Sequence, residues 1–396
     1  MGCSVGVAKS TLRDAREAGK DAARRAVEAA GGAPSLVLVF ATVGFNQRAL
    51  LEGVVSVVGR APMVGCSGAG IITQEGSDET AFAVAVMALA GDRLAVRTIV
   101  RPNVSSDPHG AAGAIADVVD AMPEAKLVLL FPDGIKADAT TLLDELNQRL
   151  PSRLPVLGGA AGEVMVFDHT YQYHDGNVLE DSVVGAVVGG AFELDFVVSH
   201  GCSLLPQVHE VTSVDGPLVR ELDKKPAWEV MKEYVADPTR GFHWTDIPYL
   251  SVARVLPKKP NGESVGHVIR SPFGFDAASG GLVFPGRLSK GDHVTIVRRD
   301  AHDIATNSIE AAMALGQRHA KKRPAFALHF DCAGRGAQLY GDRTTRDLTD
   351  PVQNALGKDV PWIGFHCYGE IAPIGEKNYF HQYTMVLAAI YEAGDG

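Results

Sequence analysis

The chain has 396 residues, 46% hydrophobic and 21% charged, enough apolar material for two or three sizeable cores. Lys+Arg 37 against Asp+Glu 47 gives a formal net charge of −10, and the basic residues are scattered apart from short clusters such as Lys321-Lys322-Arg323. Nucleic acid is thereby excluded as an expected partner, because phosphate binding rests on a concentrated basic surface.

The N-terminal MGCSVGVAKS has neither a basic region nor a long apolar stretch, and Gly6 stands where a myristoylation start needs Ser or Thr. Neither a secretory signal nor a lipid anchor is expected. A helical rhythm then runs from Ser10 to Ala30, opened by Ser10/Thr11, closed by Gly31-Gly32 and weakened at Gly19. The strand LVLVF follows, then a helix over Leu50–Val58, the strand and bend MVGCSG, a buried strand FAVAVMAL and a half-buried strand RLAVRTIV. Helices are predicted over Gly110–Ala121 and Ala137–Leu150, and consecutive strands in SVVGAVVGGAF and LDFVVSHG. From about Val208 to Arg299 the text becomes short strands and turns, with one helix near Pro226–Tyr234. A helix over Ala301–His319 leads into the last unit.

A pattern recurs three times: an apolar run, a helix-length stretch, Pro-x-x-Gly and a glycine-rich bend. The copies are PSLVLVF…APMVGCSGAG, KLVLLF…LPVLGGAAGE and PAFALHF…VPWIGFHCYGE, with Pro-x-x-Gly at Pro62/Gly65, Pro155/Gly158 and Pro361/Gly364. Each is a βαβ-like unit whose strand ends could converge on one site. The expected fold class is α/β (α+β), with repeated strand-helix-strand units, mixed sheets and a β-rich middle segment over 208–299. The chain divides into domains 1–203 and 204–396, cut near Cys202–Pro206. The longest apolar runs have strand or core length, so no membrane insertion is expected.

The bends offer backbone amides and a small hydroxyl to an anion or carboxylate, or else only permit tight packing; Gly65-Cys66-Ser67 and Gly158-Gly159 are the residues concerned. HCYGEIAP concentrates His366, Cys367, Tyr368 and Glu370, and alternation along a strand points His366 and Tyr368 to one face and Cys367 to the other. Cys332 lies near Arg335, which either depresses the thiol pKa or binds a carboxylate. An enzyme using Cys332 or Cys66 lacks a His or Asp at a diagnostic spacing. The five cysteines, Cys3, Cys66, Cys202, Cys332 and Cys367, are far apart with no C-x-x-C, which points to reduced thiols in a cytoplasm and to no dedicated metal site.

The ordered pieces VLVFAT, GCSGAGI, LPVLGGAAGE, VTSVDGPLVRELDKKPAWEVM, DCAGR, PWIGFHCYGEIAP and QYTMVL resemble the FIST family, with both its N-terminal and C-terminal parts, from about Pro34 to the last strand. The resemblance implies a bacterial sensory protein that binds a small-molecule ligand, an amino acid or related metabolite. One branch of that family implies haem and nitric-oxide sensing, with His366 as iron ligand ahead of His200 and His381. Position by position, Gly65, Cys66 and Ser67 match one signature, Cys332 and Arg335 a second, and Tyr368, Gly369 and Glu370 a third. No kinase segment follows the resembling region, so the expected output partner is a separate histidine kinase or other signalling protein.

Overall fold

The computed structural model describes residues 4–91, 93–235, 237–239, 241–257 and 266–393. Met1 to Cys3, and with them the lipid-anchor and first-cysteine readings, lie outside the described residues. The first repeat runs β1 (Ser4–Ser10), α1 (Ala15–Ala30), β2 (Pro34–Ala41), α2 (Gln47–Val58), β3 (Met63–Ser67), β4 (Gly70–Thr73), β5 (Gly76–Asp78) and β6 (Val84–Ala90). The second follows the same order: β7 (Leu94–Pro102), α3 (Pro108–Asp120), β8 (Ala125–Pro132), α4 (Ala139–Arg149), β9 (Val156–Gly159), β10 (Gln172–His174), β11 (Asn177–Leu179) and β12 (Ser182–Gly190). The third opens with β13 (Phe192–Ser199) and is interrupted by the β-rich segment.

That segment holds β14 (Ser203–Asp215), β15 (Leu218–Leu222), β16 (Lys225–Pro226), α5 (Ala227–Met231), β17 (Val252–Val255), β18 (His267–Arg270), β19 (Gly274–Asp276), β20 (Gly281–Val283) and β21 (His293–Arg298). Its strands form one antiparallel sheet with a separate core around Trp228, Leu282 and Ile296. The third repeat then resumes with α6 (Ala301–Arg318), β22 (Phe326–Cys332), α7 (Ala337–Tyr340), α8 (Asp350–Leu356), β23 (Trp362–Cys367), β24 (Glu370–Ile374), β25 (Lys377–His381) and β26 (Met385–Glu392). The α+β class with strand-rich content is therefore the fold of this chain.

Each repeat supplies four strands of one six-stranded sheet, and the three sheets have the same order: β1-β6-β2-β3-β10-β11, β7-β12-β8-β9-β24-β25 and β13-β26-β22-β23-β4-β5. Among the described residues, only β2/β3, β8/β9 and β22/β23 pair in parallel. The terminal hairpin of every sheet comes from another repeat: β4-β5 completes the third sheet, β10-β11 the first and β24-β25 the second. The inner faces of all three sheets share one core, in which Leu36-Leu38-Phe40, Leu127-Leu129-Phe131 and Phe326-Leu328-Phe330 occupy corresponding rows. At its centre Phe40, Phe131 and Phe330 meet edge to face, with ring centroids 5.3 to 6.4 Å apart, and Phe365 stacks on Phe40 at 4.5 Å. The outer faces are covered by the pairs α1/α2, α3/α4 and α6/α8.

Two details differ from the sequence expectation. The residues before Ser10 form β1 against β6, so the first helix starts later and is capped by Asp14, whose carboxylate accepts the Glu17 N–H. Gly19 is a contact, not a flaw: a Cβ there would lie 2.1 Å from the Leu50 carbonyl oxygen of α2, so glycine lets the two helices touch.

Candidate functional site

The three bends at the ends of β3, β9 and β23 are hydrogen-bonded to one another in a ring. Gly162 N–H donates to Ser67 O, Ala69 N–H to His366 O, Tyr368 N–H to Ala160 O and Ala160 N–H to Gly369 O. The ring closes the axial core above the phenylalanine cluster. Its residues divide into those that serve packing and those that face open space.

The packing set is large. Cys66 lies in the axial core, where burial pushes its thiol well up. Ser67 donates from Oγ to Gly162 O and accepts the Tyr171 N–H, so its hydroxyl is committed. Gly65, Gly158 and Gly364 are in corresponding positions, and a Cβ on them would lie 1.8, 2.0 and 1.7 Å from the carbonyl oxygens of Val39, Leu130 and His329. Gly159 makes room for Cys367, whose Sγ would be 2.8 Å from an added Cβ, and a Cβ on Gly369, at φ +154°, would lie 2.0 Å from the Phe380 ring. Arg335 is fully buried: it pairs with Asp331 at 2.7 Å and donates to Ser199 O, His200 O and Ser308 Oγ. Burial pushes the Asp331 carboxyl up, but the Arg335 guanidinium and His329 outweigh it and hold the group below the usual carboxylate range. Arg335 thus binds the chain's own carboxylate.

The strand alternation drawn for HCYGE does not hold beyond Cys367, because β23 ends there and the chain bends. His366 points into the β4-β5 hairpin, its Nε2 2.6 Å from Ser77 Oγ, whereas Cys367 and Tyr368 together face a cavity of about 410 Å³. The cavity lies beside the ring, with Cys332, Cys367 and the glycine-bearing turn Ala333-Gly334 on one wall. Met165-Val166-Phe167 form a second wall, and Ile247, Ser271 and Phe273 from the β-rich segment, with Gln382 and Tyr383, form a third. Phe167 packs on Tyr368 and Phe273 with centroids 5.1 and 5.5 Å apart.

Two devices hold this lining. Glu163 is buried, accepts the N–H groups of Val166 and Phe167 and receives the Tyr368 hydroxyl, which also accepts the Met165 N–H. Burial and the adjacent Glu163 carboxylate push the Tyr368 hydroxyl pKa up. On the other side Tyr383, in the left-handed region at φ 51°, lies under the Arg299 guanidinium at 3.7 Å. Gly334 is required beneath it, since a Cβ would be 2.2 Å from the Tyr383 ring. Behind the wall, Glu370 is fully buried, accepting the Thr384 N–H at 3.0 Å and the Cys367 thiol at 3.2 Å. Burial raises its carboxyl well above the usual range.

The three candidate iron ligands stand outside the aromatic cavity, with His200 and His381 lining a separate one of about 350 Å³. Among the described residues no histidine lines the aromatic cavity, and His366 is committed to Ser77. His200 and His267 meet each other through Nε2 at 2.8 Å, and His381 Nε2 donates to Ala372 O. Among the described residues no group of three or more His, Cys, Asp or Glu side chains is placed to hold a metal ion.

The FIST N domain matches residues 35–225 and the FIST C domain residues 227–373. The chain belongs to the FIST family. FIST domains are associated with sensing of small ligands in signal transduction. An uncharacterized protein of Mycobacterium tuberculosis is 28% identical over 388 residues, covering 97% of this chain and 98% of its own length. An uncharacterized protein of Methanocaldococcus jannaschii is 26% identical over 244 residues, 59% of this chain and 46% of its own length. Among solved structures, a cyanuric acid hydrolase from A. caulinodans aligns over 99% of both chains with a TM-score of 0.37 and 10% identity. No helix of the described residues is long and apolar enough to cross a membrane.

In this FIST protein the cavity draws Met165–Phe167 from the N-domain match and Ile247, Ser271, Phe273, Cys332 and Tyr368 from the C-domain match. Of the residues singled out in sequence, Cys332, Cys367, Tyr368 and Tyr383 line it. Glu163, Phe167 and Phe273 were not singled out. The signal for Phe167 was available, because VMVFD continues the second bend with apolar residues.

Proposed function

We propose that this FIST protein is a sensory protein that binds a small metabolite with an apolar or aromatic body, apolar and aromatic amino acids among them, in the cavity between its two FIST parts. The observation that carries the reading is a concave space of about 410 Å³ walled by Phe167, Phe273, Tyr368 and Tyr383 and contributed by both family regions. Cavities of this size and lining suit small ligands. With Arg335, Ser67, the Ser271 hydroxyl and the Gln382 amide oxygen committed to the protein, ligand polar groups are met by neutral partners, the Gln338 amide and the Gln382 amide NH2 at the wall. Ligand contact with Phe167 and Phe273 at once would bias how the Met165–Phe167 loop sits on the β-rich segment, and a separate signalling protein, such as a histidine kinase, would read that difference.

Calorimetry and thermal shift of the full chain against a panel of free amino acids and their aromatic derivatives test the reading. The expected result is saturable binding that weakens about tenfold or more in Phe273→Ala, the loss expected of a ring that packs on the ligand. Absence of binding across the panel, or binding indifferent to Phe273→Ala and Tyr368→Phe, overturns it.

A further inference from the structure

The described residues hold four free cysteines, all buried, and two of them are neighbours. Cys332 and Cys367 are the last register partners of the parallel pair β22/β23, two residues beyond Phe330 and Phe365, and both line the aromatic cavity. Adjacent strands lie about 4.7–4.9 Å apart, inside the Cα separation of roughly 4.4–6.8 Å that a disulfide accepts. The Cys367 Sγ is 3.2 Å from the Asp331 carbonyl oxygen, so it lies against the peptide that leads into Cys332. It is also 3.2 Å from Glu370 Oε1, which accepts its thiol hydrogen bond, so the buried carboxyl is placed to relay the thiol proton.

We propose that Cys332 and Cys367 are a disulfide-forming site, oxidised through the cavity by small hydroperoxides. Cys332 meets the oxidant first, being 8% exposed where Cys367 is 0%. Its sulfur attacks the terminal oxygen of R–O–OH, the O–O bond breaks, and the thiol proton goes to the departing RO group, giving a Cys332 sulfenic acid and ROH. As the Cys367 sulfur attacks the sulfenic sulfur, its proton passes to Glu370 Oε1 while the carboxyl's own proton goes to the displaced hydroxide, which leaves as water. Two thiols and one hydroperoxide become a disulfide, an alcohol and water. The two electrons move from the sulfurs to the peroxide. Burial and then Glu370 push the Cys332 thiol well up, outweighing the backbone N–H groups of Gly334 and Tyr383 and the charge of Arg299, so the attacking group is the neutral thiol. This site stands whether or not the cavity takes a metabolite.

The test uses the full chain, reduced and then exposed to hydrogen peroxide, with thiol titration, intact mass and peptide mapping. The expected result is loss of two thiols, a mass decrease of about 2 Da reversed by dithiothreitol, and a crosslinked peptide pair containing Cys332 and Cys367. In Cys367→Ser the expected product is a dimedone-trapped sulfenic acid at Cys332 and no crosslink. A crosslink from Cys332 to Cys202, wild-type oxidation that stops at sulfenic or sulfinic acid, or survival of all the thiols overturns the proposal.

Discussion

His200 and His381 show how burial converts a polar residue into a pH-dependent stability term. Burial lowers the pKa of His200 to about 4, with His267 and Arg335 adding to it, and lowers that of His381 to about 3, against 6.5 for a solvated histidine. Both are therefore neutral in the folded chain and take up protons more readily when unfolded. The stability they contribute is complete above about pH 6.5 and is lost as the pH falls toward the folded values. At about pH 5 the loss is roughly 2 kcal/mol for each. Urea unfolding at about pH 7.5 and pH 5 measures it, and His381→Gln is expected to flatten the difference by its share. Arg335 makes a related point: a residue that reads as a carboxylate clamp is one, but its carboxylate is Asp331 on the same strand-turn segment.

At the scale of the element, the repeated Pro-x-x-Gly is explained by a single contact. Gly65, Gly158 and Gly364 each abut a carbonyl oxygen of the parallel neighbour at a distance no Cβ can occupy. A glycine is therefore required where β2/β3, β8/β9 and β22/β23 run side by side, whatever binds nearby. Gly65→Ala, Gly158→Ala and Gly364→Ala are each expected to cost roughly 2–4 kcal/mol in chemical denaturation, because backbone must move to admit the methyl group. Equal and small losses, below about 0.5 kcal/mol as for a surface change, would show that the contact relaxes freely.

The whole molecule is tied together by exchanged hairpins. The second sheet takes β24-β25 from the third repeat, and the third takes β4-β5 from the first. Expressed alone, residues 1–203 would lack β24-β25 and leave the inner core of two sheets without its third wall, including Phe330 and Phe365. The fragment is expected to be poorly packed, with weak amide dispersion in NMR and no sharp thermal transition, whereas the full chain unfolds cooperatively. A fragment that melts sharply on its own would show that the exchanged strands are dispensable.

Local pattern alone determined much of this protein. Strand runs ending in Phe40, Phe131 and Phe330, helices with a 3.6-residue rhythm and glycines at fixed offsets are properties of neighbouring residues, so three units and a β-rich middle were legible. Even β13 was readable as a strand, though its place as the opening strand of the third repeat was not, because 203–298 separates it from α6. The candidate site was less legible, since its walls come from residues as distant as Met165, Phe273 and Tyr383. Which polar groups face that space depends on who satisfies them first: Arg335 is taken by Asp331, Ser67 by Gly162 and His366 by Ser77. Hydrogen-bond partners and sheet neighbours are chosen across the chain, so sequence proposed the chemistry and tertiary structure decided which groups were left to use it.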